Sequence, residues 1–204
     1  MRLIFSLITI INLSCSSAHP SDSVELKLSD NVNFDKGKNV VTLSFSISNS
    51  IPRNLLLYSF HNYVDQAVFE EEFYCKNRIT ANLALFIYNE KSEQQFAGAY
   101  IPDSLNYKPM PHEKLQNSLV LIKEKFRKSQ QILLTNQTAE FVKQVDIKDF
   151  ELEPGTYYAR LLYYQGDNIV NMVTPEQIEE DQIKSHADVF KGCLWSNKVK
   201  LVIE

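Results

Sequence analysis

The fold of this chain is decided by the stretch Val41-Thr42-Leu43-Ser44-Phe45-Ser46-Ile47-Ser48, in which apolar and hydroxyl residues alternate without a break. Successive side chains of a β-strand point to opposite faces, so one face of this segment is apolar and the other polar. Turn-forming residues flank it at 35–39 and 49–52. The stretch therefore predicts a strand that covers a hydrophobic core with one face and meets water with the other.

Similar short segments recur along the chain and are separated by turn residues. Further strands are predicted at residues 24–28, 55–58, 83–88, 131–134, 140–147, 157–164 and 198–203. Strands that follow one another without intervening helices argue against a parallel α/β sheet. The sequence therefore predicts an all-β protein built from antiparallel strands, as a sandwich or a barrel.

Three segments depart from this pattern. Residues 102–118 contain three prolines and are predicted to form an irregular loop. Residues 174–184 are predicted to form a short helix in the long connection before the last strand. Thr174 can cap this helix, and Gln177 completes a capping box. The apolar run within residues 119–128 could begin either a strand or a helix.

Two segments near the C-terminus carry a family resemblance. Residues 152–161 read Leu-Glu-Pro-Gly-Thr-Tyr-Tyr-Ala-Arg-Leu. They resemble the Leu-x-Pro-Gly-x-Tyr turn of immunoglobulin-like and fibronectin-like sandwiches, whose tyrosine can hydrogen-bond backbone across the turn. Residues 190–201 are similar to the last strand of exported sandwich domains, with the pattern Gly-x-x-x-Ser-Asn-x-Val. Residues 83–98 suit the middle strands of the same layout.

Together these motifs resemble the immunoglobulin-like β-sandwich of exported bacterial lipoproteins. That sandwich is similar to the non-catalytic one that accompanies some secreted metallopeptidases. The resemblance spans residues 24–203 and implies a single antiparallel β-sandwich domain at residues 24–204. It indicates a fold more than an activity, because one fold hosts many functions.

The N-terminus is typical of a secretory signal. Residues 1–14 place one cation before a short apolar run, which is too short to cross a bilayer. The following Cys15 resembles the lipidated cysteine of a bacterial lipoprotein, with residues 15–23 as a polar tether. The alternative is cleavage after residues 16–18, Ser-Ser-Ala, which would release a soluble protein.

The cysteines suggest one disulfide. If Cys15 is lipidated or removed, Cys75 and Cys193 remain as an even pair in an oxidising compartment. A disulfide between them would close a loop of more than a hundred residues. The alternative is two separate buried thiols, which behave as small hydrophobic side chains.

Composition and charge exclude some classes of partner. Hydrophobic residues make up 44% of the chain and charged residues 23%, which fits a globular domain with a core. The formal net charge is −4, so neither nucleic acid nor an anionic lipid surface is expected as the main partner. Contact with the membrane is expected through the lipid anchor only.

No catalytic constellation is recognisable in the sequence. His112-Glu113 lacks the second histidine that a zinc peptidase needs four residues on, because the chain carries Gln116 there. No Gly-x-Ser-x-Gly elbow occurs, and the five glycines form no phosphate-binding loop. The acidic run at residues 70–72 lacks the spacing of a calcium loop and is interpreted as a solvated face. We therefore expect no enzyme activity, cofactor or metal site.

Four tyrosines are candidate partner-binding residues: Tyr58, Tyr63, Tyr158 and Tyr164. They lie on or beside predicted strands, where alternation sends about half of the side chains to solvent. Exposed aromatic rows bind sugars or proteins by stacking and amphipathic contact. The alternative is that these rings only cover one face of a sheet.

These observations favour a non-enzymatic cell-envelope lipoprotein that binds a protein or a surface glycan. The alternative is a secreted accessory domain or inhibitor of a protease. The resemblance to metallopeptidase sandwiches motivates that alternative, together with the proline-rich segment 102–118, since inhibitors insert preformed loops.

Overall fold

The fold is that of a computed structural model. The structure describes residues 23–30, 32–62, 64–67, 70–77, 81–91, 95–96 and 112–204. The predicted signal, Cys15, almost all of the tether and Tyr63 lie outside these ranges, as do residues 102–111 of the predicted loop. Among the described residues, no helix is long and apolar enough to cross a bilayer.

The described residues form mostly β structure, with a few short helices. The strands are β1 (Val24–Leu28), β2 (Asn33–Asp35), β3 (Val40–Asn49), β4 (Leu55–Leu57), β5 (Val64–Gln66), β6 (Ala81–Asn89), β7 (Gln95–Phe96), β8 (Gln131–Leu133), β9 (Gln137–Asp146), β10 (Gly155–Gln165), β11 (Asp188–Val189), β12 (Gly192–Trp195) and β13 (Val199–Ile203). The α-helices are α1 (Glu71–Asn77), α2 (His112–Lys128) and α3 (Pro175–Ser185).

The first sheet is built around β3, the strand that the alternating stretch predicts. Strands β1 and β2 pair with one edge of β3, and β9 pairs with the other edge, all antiparallel. The register between β3 and β9 runs unbroken from Val40 opposite Asp146 to Asn49 opposite Gln137. The buried apolar residues of β3 are Val41, Leu43, Phe45 and Ile47, whereas its hydroxyl residues are half-buried, so the period-2 pattern sets the faces.

The second sheet is built around β10. Strand β6 pairs with one edge of β10, and β12 and β13 share the other edge. Strand β5 joins β6 in parallel, and β7 joins it antiparallel. A third, smaller sheet has the order β11-β4-β8 and contains a parallel pair, β11 with β4. The prediction of antiparallel β structure is confirmed, but the helices show that the chain is not all-β, and the two parallel pairs were not predicted.

The main hydrophobic core is shared between the first two sheets. Leu43 and Ile47 of β3 belong to the same buried cluster as Leu85 of β6 and Leu161 of β10. Each of these side chains is fully shielded from solvent. Burial of apolar surface of this kind stabilises a fold by about 25 cal/mol per Å². The alternating faces of the strands therefore supply most of the core.

A single asparagine side chain also connects the two sheets. Asn197, in the turn between β12 and β13, accepts a hydrogen bond from the Leu28 N–H at 2.8 Å. Its amide donates to the Leu28 carbonyl oxygen at 3.0 Å. Asn197 thus satisfies both backbone groups of a residue at the end of β1.

Replacing Asn197 with alanine is expected to lower the free energy of unfolding by about 2 kcal/mol. The change leaves the N–H and C=O of buried Leu28 without their partner, and orphaned buried polar groups are costly. Urea denaturation followed by circular dichroism measures the loss. Asn168→Ala, at an exposed position, is the matched control and should change stability by less than about 0.5 kcal/mol.

The helices of the structure can be compared with the predictions for the three segments that depart from the strand pattern. Helix α3 is confirmed: the Thr174 side chain accepts from the Gln177 N–H, and the Gln177 side chain accepts from the Thr174 N–H. The expectation that only one strand follows it is wrong, because β11, β12 and β13 all come after it. The open alternative for residues 119–128 is resolved as helix α2.

The prediction of an irregular loop over residues 102–118 is wrong in its last part. Helix α2 begins at His112, directly after the last of the three prolines, at Pro111. Proline restricts the residue before it and removes a backbone donor, but it does not prevent a helix from starting just beyond it. Pro111 therefore directly precedes this helix without preventing it.

Candidate docking site on helix α2

Helix α2 exposes four consecutive apolar residues, which we call the α2 patch: Leu119, Val120, Leu121 and Ile122. Each has between 46% and 66% of its surface exposed. Consecutive residues of a helix are about 100° apart, so four apolar residues in a row cannot all face one neighbour. A contiguous exposed apolar patch of this kind typically marks an interaction surface.

Among the α2 side chains that the structure describes, Phe126 is the buried one. Phe126 is buried and stacks on Tyr58 with ring centroids 6.0 Å apart. Leu119 and Ile122 lie seven and four residues earlier, on the same helical face as Phe126. They remain about half exposed, so the apolar face of α2 continues beyond the part that the described residues cover.

Two clefts border the α2 patch. One, of about 380 Å³, is lined by Val120 and Arg127 of α2 together with Val170 and Met172. The other, of about 310 Å³, lies between Ile122 and Met172 and also reaches Asp65, Asn82 and Phe126. Apolar side chains of a bound protein could enter both clefts, so the α2 patch is bordered by depressions and is not part of a flat surface.

A buried ionic network fixes α2 to the rest of the protein. The Arg127 guanidinium donates to both carboxylate oxygens of Asp181, at 2.8 Å from Nε and 2.6 Å from Nη2. The Tyr58 hydroxyl donates to the same carboxylate at 2.9 Å. Burial, reinforced by the Asp181 carboxylate, raises the pKa of Tyr58 far above its ordinary value, so this phenol stays protonated. The network joins α2, α3 and the end of β4.

The second cleft contains a perturbed carboxyl group. Burial raises the pKa of Asp65, which accepts a hydrogen bond from the Asn82 amide at 2.6 Å. The amide oxygen of Asn82 is buried and has no hydrogen-bond partner. A carboxyl group of this kind could receive a donor from a partner that enters the cleft. In the described part of the chain, no group of three or more His, Cys, Asp or Glu residues could hold a metal ion.

The structure corrects the tyrosine predictions. Tyr58 is fully buried beneath Phe126, and Tyr164 is buried beside Tyr74, so neither can contact a partner. Both faces of β4 are covered, one by the main core and the other by α2 and α3, so Tyr58 at its end is enclosed. Tyr158 is half-buried.

Tyr158 belongs to an aromatic cluster on the outer face of the second sheet. Nearby, the Arg160 guanidinium lies 4.5 Å from the centroid of the Trp195 ring, which is a cation–π contact. The same guanidinium forms an ion pair with Glu71 at 3.3 Å, and the Tyr88 hydroxyl donates to Glu71. These groups are already partnered within the protein, so this cluster is weaker than the α2 patch as a candidate site.

Helix α1 is held on this outer face by a disulfide. Cys75 in α1 is joined to Cys193 in β12, with Cα atoms 5.9 Å apart. Tyr74 of the same helix packs edge-on against Phe86 of β6, with ring centroids 5.3 Å apart. The alternative of two separate thiols therefore does not hold in this structure.

The α2 patch was not identified from the sequence as a functional surface. Its signal is the run of four apolar residues followed by Lys123, which is unusual for the exposed face of a helix. The run was recognisable, but its significance depends on its being helical, which the sequence left open. No family model, curated protein or solved structure matches this chain.

Proposed function

We propose that this protein is a non-enzymatic binding module of the cell envelope, which docks a protein partner on the α2 patch. The single observation that carries the proposal is the exposure of four consecutive apolar residues between two clefts. The proposal includes a secretory signal at residues 1–14, a lipid on Cys15 and a tether to residue 23. The lipid would hold the module at the membrane, where its partner is another envelope protein.

Two observations support an immunoglobulin-like sandwich as the scaffold. The first two sheets contribute to one buried cluster, as the layers of a sandwich do. The Tyr157 hydroxyl donates to the Glu153 carbonyl oxygen at 2.7 Å, across the Pro-Gly turn. This contact is similar to the tyrosine corner of immunoglobulin-like domains. The proposed domain spans residues 24–204.

A protein partner suits the α2 patch better than a glycan does. Sugars are bound by aromatic rings flanked by polar groups, whereas this patch is aliphatic. Lys123 and Lys128 are exposed beside it, and Lys128 is paired with Glu124 at 3.5 Å on the surface, whereas Lys123 forms no ion pair among the described residues. The complementary partner surface is therefore apolar at its centre and acidic at its rim.

Leu121→Glu is expected to reduce partner binding at least tenfold. The change places a carboxylate in the centre of the apolar patch, and burying an unpaired charge in an interface is costly. The unfolding free energy should change by less than about 0.5 kcal/mol, because 66% of the Leu121 surface is already exposed. The measurement is chemical crosslinking in intact cells, followed by quantitative mass spectrometry of the captured proteins.

Ile183→Glu is the matched control, since Ile183 is also 66% exposed but lies on α3. It is two residues from buried Asp181, about 200° around the helix, and therefore faces away from α2. The proposal requires one protein that wild type and Ile183→Glu capture equally and that Leu121→Glu loses. Equal capture by all three, or no reproducible partner for the wild type, would refute it.

The protease-associated alternative stays a prediction. The segment 102–118 motivated it, and α2 takes up the last part of that segment, from His112 onward. Assays against a panel of secreted proteases at micromolar concentration test it directly. Inhibition that survives Leu121→Glu would favour this alternative over the docking module.

A further inference from the structure

Strand β9 forms an edge of the first sheet. It pairs with β3 on one side, and among the described residues no strand pairs with its other side. The strand runs for ten residues, from Gln137 to Asp146. This is long for an edge strand, and the row of backbone donors and acceptors on such an edge is a template for a further strand.

The hydrogen bonds show which backbone groups point outward. The Ile147 N–H donates to the Asn39 carbonyl oxygen at 2.9 Å, so odd-numbered residues of β9 face β3. The Ser29 N–H donates to the Ser44 carbonyl oxygen at 2.8 Å, so even-numbered residues of β3 face β1 instead. Since N–H and C=O of one residue point the same way in an antiparallel sheet, the even-numbered residues of β9 present theirs at the outer edge.

Two of the usual devices that protect an edge strand, a proline and a β-bulge, are missing from β9. It contains no proline, and its unbroken register with β3 leaves no room for a bulge. Its even-numbered residues are all exposed, including Val142, with 66% of its surface in contact with solvent. The one inward-facing cation, Lys143, turns away to donate to the Asn62 carbonyl oxygen at 2.8 Å.

We propose that the outer edge of β9 pairs antiparallel with β9 of a second copy of this chain, about a two-fold axis at Val142. In this register Val142 of one copy lies opposite Val142 of the other. Glu140 lies opposite Gln144, and Phe141 lies opposite Lys143, so no like charges face each other. Opposed residues point to the same face of the sheet, as a two-fold axis perpendicular to the sheet requires.

The neighbouring registers are less favourable. An axis at residue 140 places Glu140 opposite Glu140, and an axis at residue 143 places Lys143 opposite Lys143. Axes at residues 141 and 144 place Val142 opposite Glu140 and Asp146, respectively. Like charges directly opposite destabilise a strand pair, and a carboxylate beside Val142 removes its apolar contact. Among these registers, only the one centred on Val142 places Val142 opposite an apolar residue and also avoids every like-charged pair.

Cysteine crosslinking tests the register. Val142→Cys, in the full chain with Cys15→Ser, should form a disulfide-linked dimer under mild oxidation, because the two Cα atoms would be about 5.5 Å apart. Thr138→Cys is the matched control in the same background. Its partner across the pair is Asp146, so two copies of residue 138 would lie about 27 Å apart, from eight residues at 3.4 Å each, and should not crosslink.

Sedimentation equilibrium of the wild-type chain tests the dimer itself. We expect the mass of two chains at high protein concentration, and Val142→Pro should raise the dissociation constant at least tenfold. The proline removes an N–H that points outward, so it breaks no hydrogen bond to β3 and the monomer should still fold. A wild-type chain that stays monomeric, or equal crosslinking of the two cysteine variants, would overturn the proposal. Leu121→Glu should leave the dimer intact, so the two proposed surfaces can fail independently.

Discussion

Asp181→Ala is expected to lower the free energy of unfolding by about 3 kcal/mol. The carboxylate is 5% exposed, and it accepts hydrogen bonds from Arg127 at 2.6 Å and from Tyr58 at 2.9 Å. Removing one partner of a buried ion pair leaves the other charge and its donors unsatisfied, which costs more than the pair contributes. We place the loss at the lower end of the usual range because 27% of the Arg127 side chain is exposed and water can solvate it.

Urea denaturation at neutral pH measures this loss. Glu180→Ala is the matched control, because Glu180 binds the same guanidinium at 2.6 Å but has 66% of its side chain exposed. An exposed ion pair contributes little, so this variant should lose less than about 1 kcal/mol. Equal losses of stability for the two variants would contradict the expectation that the buried carboxylate contributes more than the exposed one.

Loss of the network in Asp181→Ala should also release α2, which would weaken partner capture at the α2 patch.

Replacement of both Cys75 and Cys193 by alanine is expected to cost about 4 kcal/mol of stability. The disulfide joins residues 118 positions apart in the sequence. In the chain-entropy model, a crosslink that closes a loop of this length strongly restricts the unfolded chain. Replacing both cysteines together avoids leaving a free thiol behind. The measurement is the shift of the urea midpoint relative to the oxidised wild type.

Reduced wild-type protein is the control for this prediction, and it should unfold at nearly the same urea concentration as the double variant. Hydrogen exchange adds a local measurement, since helix α1 should lose protection before the strands of the second sheet do. Packing of Tyr74 against Phe86 keeps part of the helix in contact with β6. A midpoint shift corresponding to less than about 1 kcal/mol would contradict the expected contribution of the disulfide.

Local patterns predicted eight of the thirteen strands found in the described residues, and one helix. Strand β3 was found from alternation alone, because the apolar side chains from Val41 to Ile47 face the core and the hydroxyl groups between them face away. Helix α3 was found from its capping box, whose hydrogen bonds lie within four consecutive residues. Tyr157 was expected to bond backbone across the turn, and it donates to Glu153. In each case the deciding pattern or hydrogen bond lies within a short stretch of the sequence.

Other features could not be read from the sequence because distant residues determine them. Tyr58 follows a short strand in an aromatic segment, and only its contacts with distant residues, such as Asp181 at 123 positions away, show that it is enclosed. The α2 patch was ambiguous because four apolar residues in a row fit a buried strand or a helix equally well. Strands β5 and β11 are too short to show any periodicity, and both are defined by parallel pairing with a strand elsewhere in the chain.

The sequence by itself determined which faces of the main strands are apolar, where helix α3 begins and which chemistries lack their motifs. These properties follow from side-chain periodicity and capping, which act over a few residues. Only the tertiary structure decided which apolar faces are covered and which remain exposed. Coverage depends on what packs against a face, as with Phe126 on Tyr58 or Cys75 beside Cys193, and such contacts join residues far apart in the chain. For this reason the exposed Leu119–Ile122 run and the outer edge of β9 became visible as candidate surfaces only in three dimensions.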